Sequence, residues 1–243
     1  MRLQPLFVSL ALAVPFALLP AAPLLAAPAA TARQADTAPV LVTAAQWQQM
    51  ASEGSRYPWF AKEQARTEAS LKKMMKAGID VPVPKDKGGG RTHEQHKRNY
   101  QALLAAGTLY RLTGDKAYVA YSRDMLLQYA KLYPTLGPHP EGRGQIPGRV
   151  FWQVLNDSVW LVNAIQGYDA IRDALSAQDR QTIESKLFRP MAEFLVSEPK
   201  NYDQIHNHAT WAVAATGMTG YVLRDQELVE KSLRGSQKDD QFG

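Results

Sequence analysis

Tyr110-Arg111-Leu112-Thr113-Gly114-Asp115 ends one helical pattern and begins the next. Gly114 is a typical helix stop and Asp115 is a typical helix cap, so these residues predict a tight turn between two helices. A shorter version, Tyr221-Val222-Leu223-Arg224-Asp225, keeps the same order with one residue deleted. The two stretches therefore predict a helical hairpin that is repeated along the chain.

Helical patterns and short turns alternate on both sides of this stretch. Thr43 is placed to cap a helix that ends near Gly54, and Thr92 with Gln95 forms a capping box for the next long helix. A long amphipathic helix is expected from Arg149 to Leu175. No segment has the alternation of a strand, so we predict an all-α fold of stacked helical hairpins, either an α/α toroid or a solenoid.

The first 32 residues have the composition of a secretory signal. A single charge at Arg2 precedes a run of Leu, Ala and Pro, and residues 30–32 match the A-x-A cleavage pattern. A transmembrane anchor is the competing interpretation, but three prolines interrupt the run. We expect residues 1–32 to be cleaved and the protein to be periplasmic or secreted from a bacterium, without a membrane segment after cleavage.

Composition excludes several classes of function. The 243 residues contain no cysteine, which excludes disulfides, a thiol nucleophile and cysteine-based zinc sites. The net charge of +5 comes from dispersed basic residues, so no nucleic-acid partner is expected. An acidic carbohydrate is compatible with this charge, and so is an ordinary solvated surface. The sequence does not indicate an oligomeric state.

The segment His206-Asn207-His208 opens an apolar helical pattern that continues to Val222. The start of a helix favours a bound carboxylate, and neutral imidazole beside a carboxamide can hold a sugar acid and move a proton next to it. The competing interpretation is a capped turn, with Asn207 as the N-cap. Because no acidic cluster at metal spacing lies nearby, we predict neither a metal nor another cofactor here.

Other catalytic patterns are weaker. His93-Glu94-Gln95-His96 has its histidines three apart, whereas the zinc-protease motif requires four. His96 can still line a cleft. Paired carboxylates for glycoside hydrolysis remain an alternative, although no pair stands out among the available residues, which are Glu141, Asp157, Glu184 and Glu193. Gln153 and Asn156 are expected on one helix face among apolar neighbours, where they need polar partners.

Four blocks together resemble the alginate and oligoalginate lyases, in which an α/α toroid is joined to a heparinase II/III-like β-sandwich. The blocks are residues 96–100 (HKRNY), 112–115 (LTGD), 148–156 (GRVFWQVLN) and 205–214 (IHNHATWAVA). The resemblance covers residues 90–235, and the last block is the most specific. It implies β-elimination of a uronate polymer, in which an Asn–His pair neutralises the carboxylate, a base removes the neighbouring proton and a tyrosine protonates the leaving oxygen.

The resemblance assigns expected roles residue by residue. Asn207 and His208 match the Asn–His pair and are the expected catalytic residues. The expected substrate-binding residues are His206, Gln153, Asn156, Arg149, His96, Tyr100 and Trp211. The expected partner is an acidic polysaccharide or an oligouronate.

The same resemblance suggests an incomplete chain. The tyrosine of these lyases lies well downstream of the Asn–His pair, and no tyrosine follows Tyr221 here. We therefore expect an incomplete (α/α) toroid, with N-terminal helices and a linker loop in residues 33–91 and a truncated lyase-like domain in residues 92–243. Two alternatives remain open, an α/α-toroid glycoside hydrolase and a catalytically incomplete uronate-binding domain.

Overall fold

A computed structural model describes residues 37–236 of the chain, and the regular secondary structure in that range is entirely helical. The expected all-α class is thereby confirmed for these residues. The α-helices that lie wholly within the range are α1 (Ala44–Glu53), α2 (Pro58–Ala77), α3 (Arg91–Thr113), α4 (Lys116–Leu132), α5 (Val154–Ile171), α6 (Ala177–Ile183), α7 (Arg189–Val196), α8 (Pro199–Tyr202), α9 (Asn207–Leu223) and α10 (Gln226–Arg234). A π-helical segment, Glu184–Phe188, joins α6 to α7.

The repeated turn predicts the hairpins correctly. Gly114 ends α3 in the left-handed conformation with φ of 74°, and the Asp115 carboxylate accepts the N–H of Ala117 to begin α4. At the second turn Arg224 takes the left-handed position with φ of 58°, and Asp225 caps α10. The one-residue deletion thus removes the glycine, and Arg224 adopts a conformation that favours glycine.

Helices α3, α5 and α9 form the centre of the packing. Helix α5 contacts both α3 and α9, while α4 packs on α3 and α10 packs on α9. Two glycines bring α3 and α5 together, because a Cβ added at Gly107 would lie 2.6 Å from the carbonyl oxygen of Gly167. The arrangement is a row of hairpins, and its closure into a toroid remains a prediction.

Large aromatic side chains fill the space between the helices. Trp160 of α5 is fully buried and its ring centroid lies 4.8 Å from that of Tyr129 in α4. Burial of rings this large contributes a major part of the stability of such a core. The other largest fully buried aromatic side chains are Tyr118, Tyr133, Tyr168, Tyr202, Phe151 and Phe188.

The N-terminal helices are attached to this core. Thr43 caps α1 as predicted, in a capping box with Gln46. The carboxylate of Asp169 in α5 accepts the backbone N–H groups of Val40 and Leu41 at 2.9–3.1 Å. Leu71 of α2 is fully buried in the same core. These contacts fix the start of the described chain against the central row.

The helix expected from Arg149 begins later than predicted, at Val154, and ends at Ile171. The reason is Asp157, whose carboxylate accepts backbone N–H groups from residues 149, 150 and 151 at 2.7–3.3 Å. These bonds hold the preceding segment in a bend that the helix ladder does not continue. A Cβ at Gly148 would lie 2.6 Å from Asp157 Oδ1, so the bend requires a glycine.

The capping box expected at Thr92 and Gln95 is wrong. Helix α3 begins at Arg91, with Gly90 at the N-cap and no side-chain cap. The buried Thr92 hydroxyl instead donates to Asp86 at 2.8 Å, and the Asp86 carboxylate also accepts the Thr92 N–H. Thr92 therefore fixes the loop in front of α3.

Two expectations concern the ends of the chain. The predicted signal, residues 1–32, lies outside the described residues and stays a prediction. Within residues 37–236, no helix combines the length and the apolar character that crossing a membrane requires.

Candidate active site

Helix α9 begins with an unusual cap. His206 adopts an extended backbone conformation, and its Nδ1 accepts the backbone N–H of His208 at 2.9 Å. The predicted N-cap at Asn207 is therefore wrong by one position. An imidazole nitrogen with a free lone pair takes the place that an Asp or Asn oxygen usually occupies.

The cap determines the proton position on His206. Because Nδ1 accepts a hydrogen bond, the proton of the neutral ring lies on Nε2. Nε2 lies 3.0 Å from the Oε1 of Gln204, an acceptor, which matches this tautomer. His206 is therefore engaged at both ring nitrogens by its own segment, and it positions the start of α9.

Asn207 and His208 follow the cap, and their side chains are available to bind a ligand. Within the described residues, neither the Asn207 carboxamide nor the His208 ring nitrogens have a hydrogen-bond partner. Asn207 is exposed and His208 is half-buried. Partial burial, helped by the neighbouring His206, lowers the pKa of His208 and keeps its ring neutral near pH 7. The pair can therefore donate hydrogen bonds to an anion and handle a proton.

Trp211 extends the same surface. It lies three and four residues after His208 and Asn207, a spacing that places side chains on one helix face. Trp211 is 38% exposed and Ile205 is 98% exposed. Apolar groups beside polar donors are typical of sugar-binding surfaces, where one ring face stacks while hydroxyl and carboxylate groups bind.

The prediction that Gln153 and Asn156 share one face of a helix is wrong. Gln153 lies at the N-cap of α5 in extended conformation, so it is outside the helix that contains Asn156. Its side-chain amide donates to the Oε1 of Gln145 at 3.0 Å. Gln153 is thus held by the loop before α5, while the half-buried Asn156 side chain forms no hydrogen bond in the described part of the chain.

His96 lies in the core and has no solvent exposure. The Tyr129 hydroxyl accepts the Asn99 amide N–H at 2.9 Å and forms a hydrogen bond of 2.7 Å with His96 Nδ1. Burial, reinforced by the neighbouring His93 and His139, lowers the pKa of His96 to about 4.

His93 and His139 share this buried environment. His93 packs edge-on against Phe151 with 5.0 Å between ring centroids, and His96 contacts the same ring. Burial lowers the pKa of both His93 and His139. We name His93, His96 and His139 the buried histidine cluster. This cluster was missed because no sequence spacing relates His139 to the other two.

Arg149 and Tyr100 lie elsewhere on the chain. The Arg149 guanidinium carbon lies 4.7 Å from the ring centroid of Phe194 and 5.5 Å from that of Tyr133. Tyr100 is half-buried, and its pKa is raised by that burial. No hydrogen bond or ring contact in the described range links these residues, His96, Gln153 or Asn156 to the start of α9.

Two of the four carboxylates considered for glycoside hydrolysis, Asp157 and Glu184, form hydrogen bonds that stabilise the fold. Asp157 is fully buried, and burial raises its pKa to about 7 against the three N–H donors that lower it. Glu184 accepts hydrogen bonds from Tyr168 at 2.6 Å and from Arg172 at 2.8 Å. Both groups therefore support the helices around them. Over residues 37–236, no group of three His, Asp or Glu side chains is arranged to hold a metal ion.

The family model named alginate lyase matches residues 32–243. The chain belongs to the alginate lyase family. One alginate lyase, from Stenotrophomonas maltophilia strain K279a, is 93% identical over 243 residues, which is all of this chain and 33% of that protein. An exo-oligoalginate lyase from Saccharophagus degradans strain 2-40 is 52% identical over 205 residues, which is 84% of this chain and 28% of that protein.

The chain thus spans about a third or less of the length of the curated relatives it matches. Membership in the alginate lyase family agrees with the resemblance drawn from the four sequence blocks.

Proposed function

We propose that this chain carries the carboxylate-binding part of a lyase active site that cleaves alginate or oligoalginate by β-elimination. The observation that carries the proposal is the start of α9. There an uncommitted carboxamide and a neutral imidazole follow directly after a histidine cap. The names of both relatives, alginate lyase and exo-oligoalginate lyase, support this substrate class.

The first chemical requirement is neutralisation of the uronate carboxylate. Asn207 supplies amide N–H donors, and the positive end of the α9 dipole lies behind it. The backbone N–H at the first position of a helix has no acceptor within the helix, so it adds a further donor. Reduced negative charge on the carboxylate makes the adjacent C–H bond more acidic.

The second requirement is proton transfer. A base removes that proton, the electron pair forms the new carbon–carbon double bond, and the glycosidic carbon–oxygen bond breaks. The leaving oxygen then takes a proton from a general acid. His208 in its neutral form fits either the neutralising role or the base, and we assign it to the carboxylate site together with Asn207. His206 acts as a positioning residue because both of its ring nitrogens are used.

The test is product formation by the full-length protein on mannuronate and guluronate oligomers. β-Elimination creates an unsaturated product with new ultraviolet absorbance, whereas hydrolysis does not. Asn207→Ala and His208→Ala are each expected to lower kcat by about a hundredfold or more, as loss of a preorganised donor does in other enzymes. Unchanged turnover in both variants would contradict the proposal, and saturated reducing ends would favour a glycoside hydrolase.

Export and domain organisation are inferred from the sequence pattern. We infer that residues 1–32 direct the protein to the periplasm or the exterior, where a large anionic polysaccharide is accessible. Residues 33–91 and 92–243 are proposed to form the N-terminal helices and the lyase-like toroid. N-terminal sequencing of the mature protein from its native host tests the first inference, since a retained Met1 would contradict it.

A further inference from the structure

A cleft of about 510 Å³ lies between the end of α4 and the segment that joins α6 to α7. Its volume is in the range of sites for small ligands, about 300–1,000 Å³. None of its lining residues belongs to the His206–Asn207–His208 segment. The polar and charged residues around it are Lys131, Tyr133, Arg149, Thr182, Ser185 and Lys186. We name it the basic cleft.

The charged residues that line the basic cleft are all cations, although Arg149 also interacts electrostatically with the buried Asp157 carboxylate behind the lining. Lys131, Arg149 and Lys186 line it, and no Asp or Glu is found in the lining that residues 37–236 provide. In the same described range, none of the three cations forms an ion pair with a carboxylate. Asp157 accepts the backbone N–H of Arg149 and not its guanidinium. Three cations around one concave surface create a positive potential that attracts an anion.

Arg149 is preorganised in this cleft. Its guanidinium lies against the rings of Phe194 and Tyr133, with 4.7 Å and 5.5 Å from the guanidinium carbon to the ring centroids. Cation–π contact holds the planar group in place without neutralising it. A guanidinium presents paired N–H donors that match the two oxygens of a carboxylate. Arg149 therefore offers a prepared carboxylate contact.

Lys131 has a simpler explanation, because a cation in the last turn of α4 is favourable at the negative end of the helix dipole. Lys186 has no such position, since it lies in the middle of the π-helical segment. Lys186 thus has no structural partner of this kind, whereas Arg149 packs on two rings and interacts with the buried Asp157 carboxylate while it lines the cleft. The hydroxyls of Thr182 and Ser185 line the cleft as well, but each donates to a backbone carbonyl of its own helix, so the anion contacts come from the cations.

We propose that the basic cleft is a second anion site, which binds the carboxylate of an acidic saccharide on Arg149 and Lys186. The choice of an acidic saccharide as the natural anion rests on the proposed function, whereas the oxyanion chemistry rests on the cleft itself. This assignment gives Arg149 a substrate contact that is separate from the one at Asn207 and His208.

Isothermal titration calorimetry on the 243-residue chain tests the proposal. The probes are a mannuronate trisaccharide, inorganic phosphate and a neutral glucose trisaccharide of equal length. Binding of the mannuronate trisaccharide is expected, with affinity that falls as salt concentration rises. Equal binding of the neutral trisaccharide would overturn the proposal, and so would binding of phosphate without the mannuronate probe, which would define a phosphate site.

Variants locate the bound anion. Arg149→Gln is expected to weaken mannuronate binding about tenfold, and Lys186→Gln about threefold to tenfold, because each removes a charge-assisted contact. Lys62→Gln is the matched control, since Lys62 is an exposed cation on α2 with no ion pair in the described residues. Circular dichroism confirms that each variant is folded. If Arg149→Gln does not fold, Lys186→Gln against Lys62→Gln decides the matter, and equal effects of these two would overturn the proposal.

One further variant separates this inference from the proposed function. The double substitution Asn207→Ala with His208→Ala is expected to abolish product formation in the full-length protein and to leave mannuronate binding to the basic cleft. Loss of all binding in the double variant, with normal binding in Arg149→Gln, would place the anion at α9 and overturn the second site. Retained product formation in the double variant would instead contradict the proposed function alone.

Discussion

The five histidines of this chain lie in two contrasting environments. His93, His96 and His139 are buried, and burial lowers the pKa of each ring. His206 and His208 lie at the accessible start of α9, with 5.0 Å between their ring centroids.

Both environments favour a neutral imidazole, but only the second leaves a ring open to a ligand. In the buried histidine cluster, the neutral form results from the loss of water, and no solvent reaches His96. At the start of α9, both ring nitrogens of His206 form hydrogen bonds, to Gln204 and to the His208 N–H. The His208 ring nitrogens form no hydrogen bond in the described residues. A lowered pKa therefore indicates a chemical role only when the ring also remains accessible.

The largest expected effect on stability is the loss of unfolding free energy at acidic pH that buried His96 causes. The ordinary histidine pKa is about 6.5, and that of folded His96 is about 4. As the pH falls between these values, the unfolded chain binds a proton that the folded chain does not, so the free energy of unfolding decreases. His96→Gln is expected to reduce the decrease between pH 7 and pH 4 by about 3 kcal/mol.

Urea unfolding of the wild type and the variant at several pH values measures this difference. His208→Gln is the matched change at the accessible site, and we expect it to alter the pH dependence much less. Equal effects of the two substitutions would remove the proposed contrast between the sites.

Tyr129→Phe tests the hydrogen bonds that keep the buried cluster in place. The hydroxyl joins Asn99 and His96 at 2.9 Å and 2.7 Å, and its removal leaves two buried polar groups without that partner. We expect the free energy of unfolding to fall by about 2 kcal/mol. Tyr221→Phe, at an exposed tyrosine on α9, is the control. A change below about 0.5 kcal/mol in Tyr129→Phe, within the range of surface substitutions, would contradict this network.

The smallest expected effect is at the cap of α9. His206→Ala removes the acceptor for the His208 N–H and is expected to cost about 1 kcal/mol of unfolding free energy. His206→Asp supplies an alternative acceptor and is expected to retain most of that stability. Thermal unfolding of both variants measures the difference, and identical losses would show that the cap is unimportant.

The sequence predicts the helical hairpins well because the turn signals are local. Gly114 and Asp115 act within their own turn, and Asp225 caps α10 in the same way. The expected start of a helix at Arg149 is wrong because Asp157 binds the preceding backbone, a contact that helical periodicity does not contain. Local sequence signals therefore predict the helix ends correctly, except where a buried side chain such as Asp157 binds the neighbouring backbone.

The candidate site is predicted only in part, for a related reason. Asn207 and His208 are adjacent in the sequence, so their shared position at the start of α9 follows from a single helix boundary. The basic cleft combines Arg149 with Lys131 and Lys186 from separate segments, and only the fold brings these together. The burial of His96 likewise depends on Tyr129 and Phe151, which are distant in the sequence.

The most direct test of the account compares His208→Ala with His93→Gln in the full-length protein, by the rate at which oligoalginate gives unsaturated product. His93 is the matched buried histidine, and it packs against Phe151. We expect His208→Ala to remain folded and to lose about a hundredfold or more in kcat, and His93→Gln to lose stability while its folded fraction keeps its turnover. Normal turnover in His208→Ala, together with loss of turnover in folded His93→Gln, would contradict the assignment of the reaction to the start of α9.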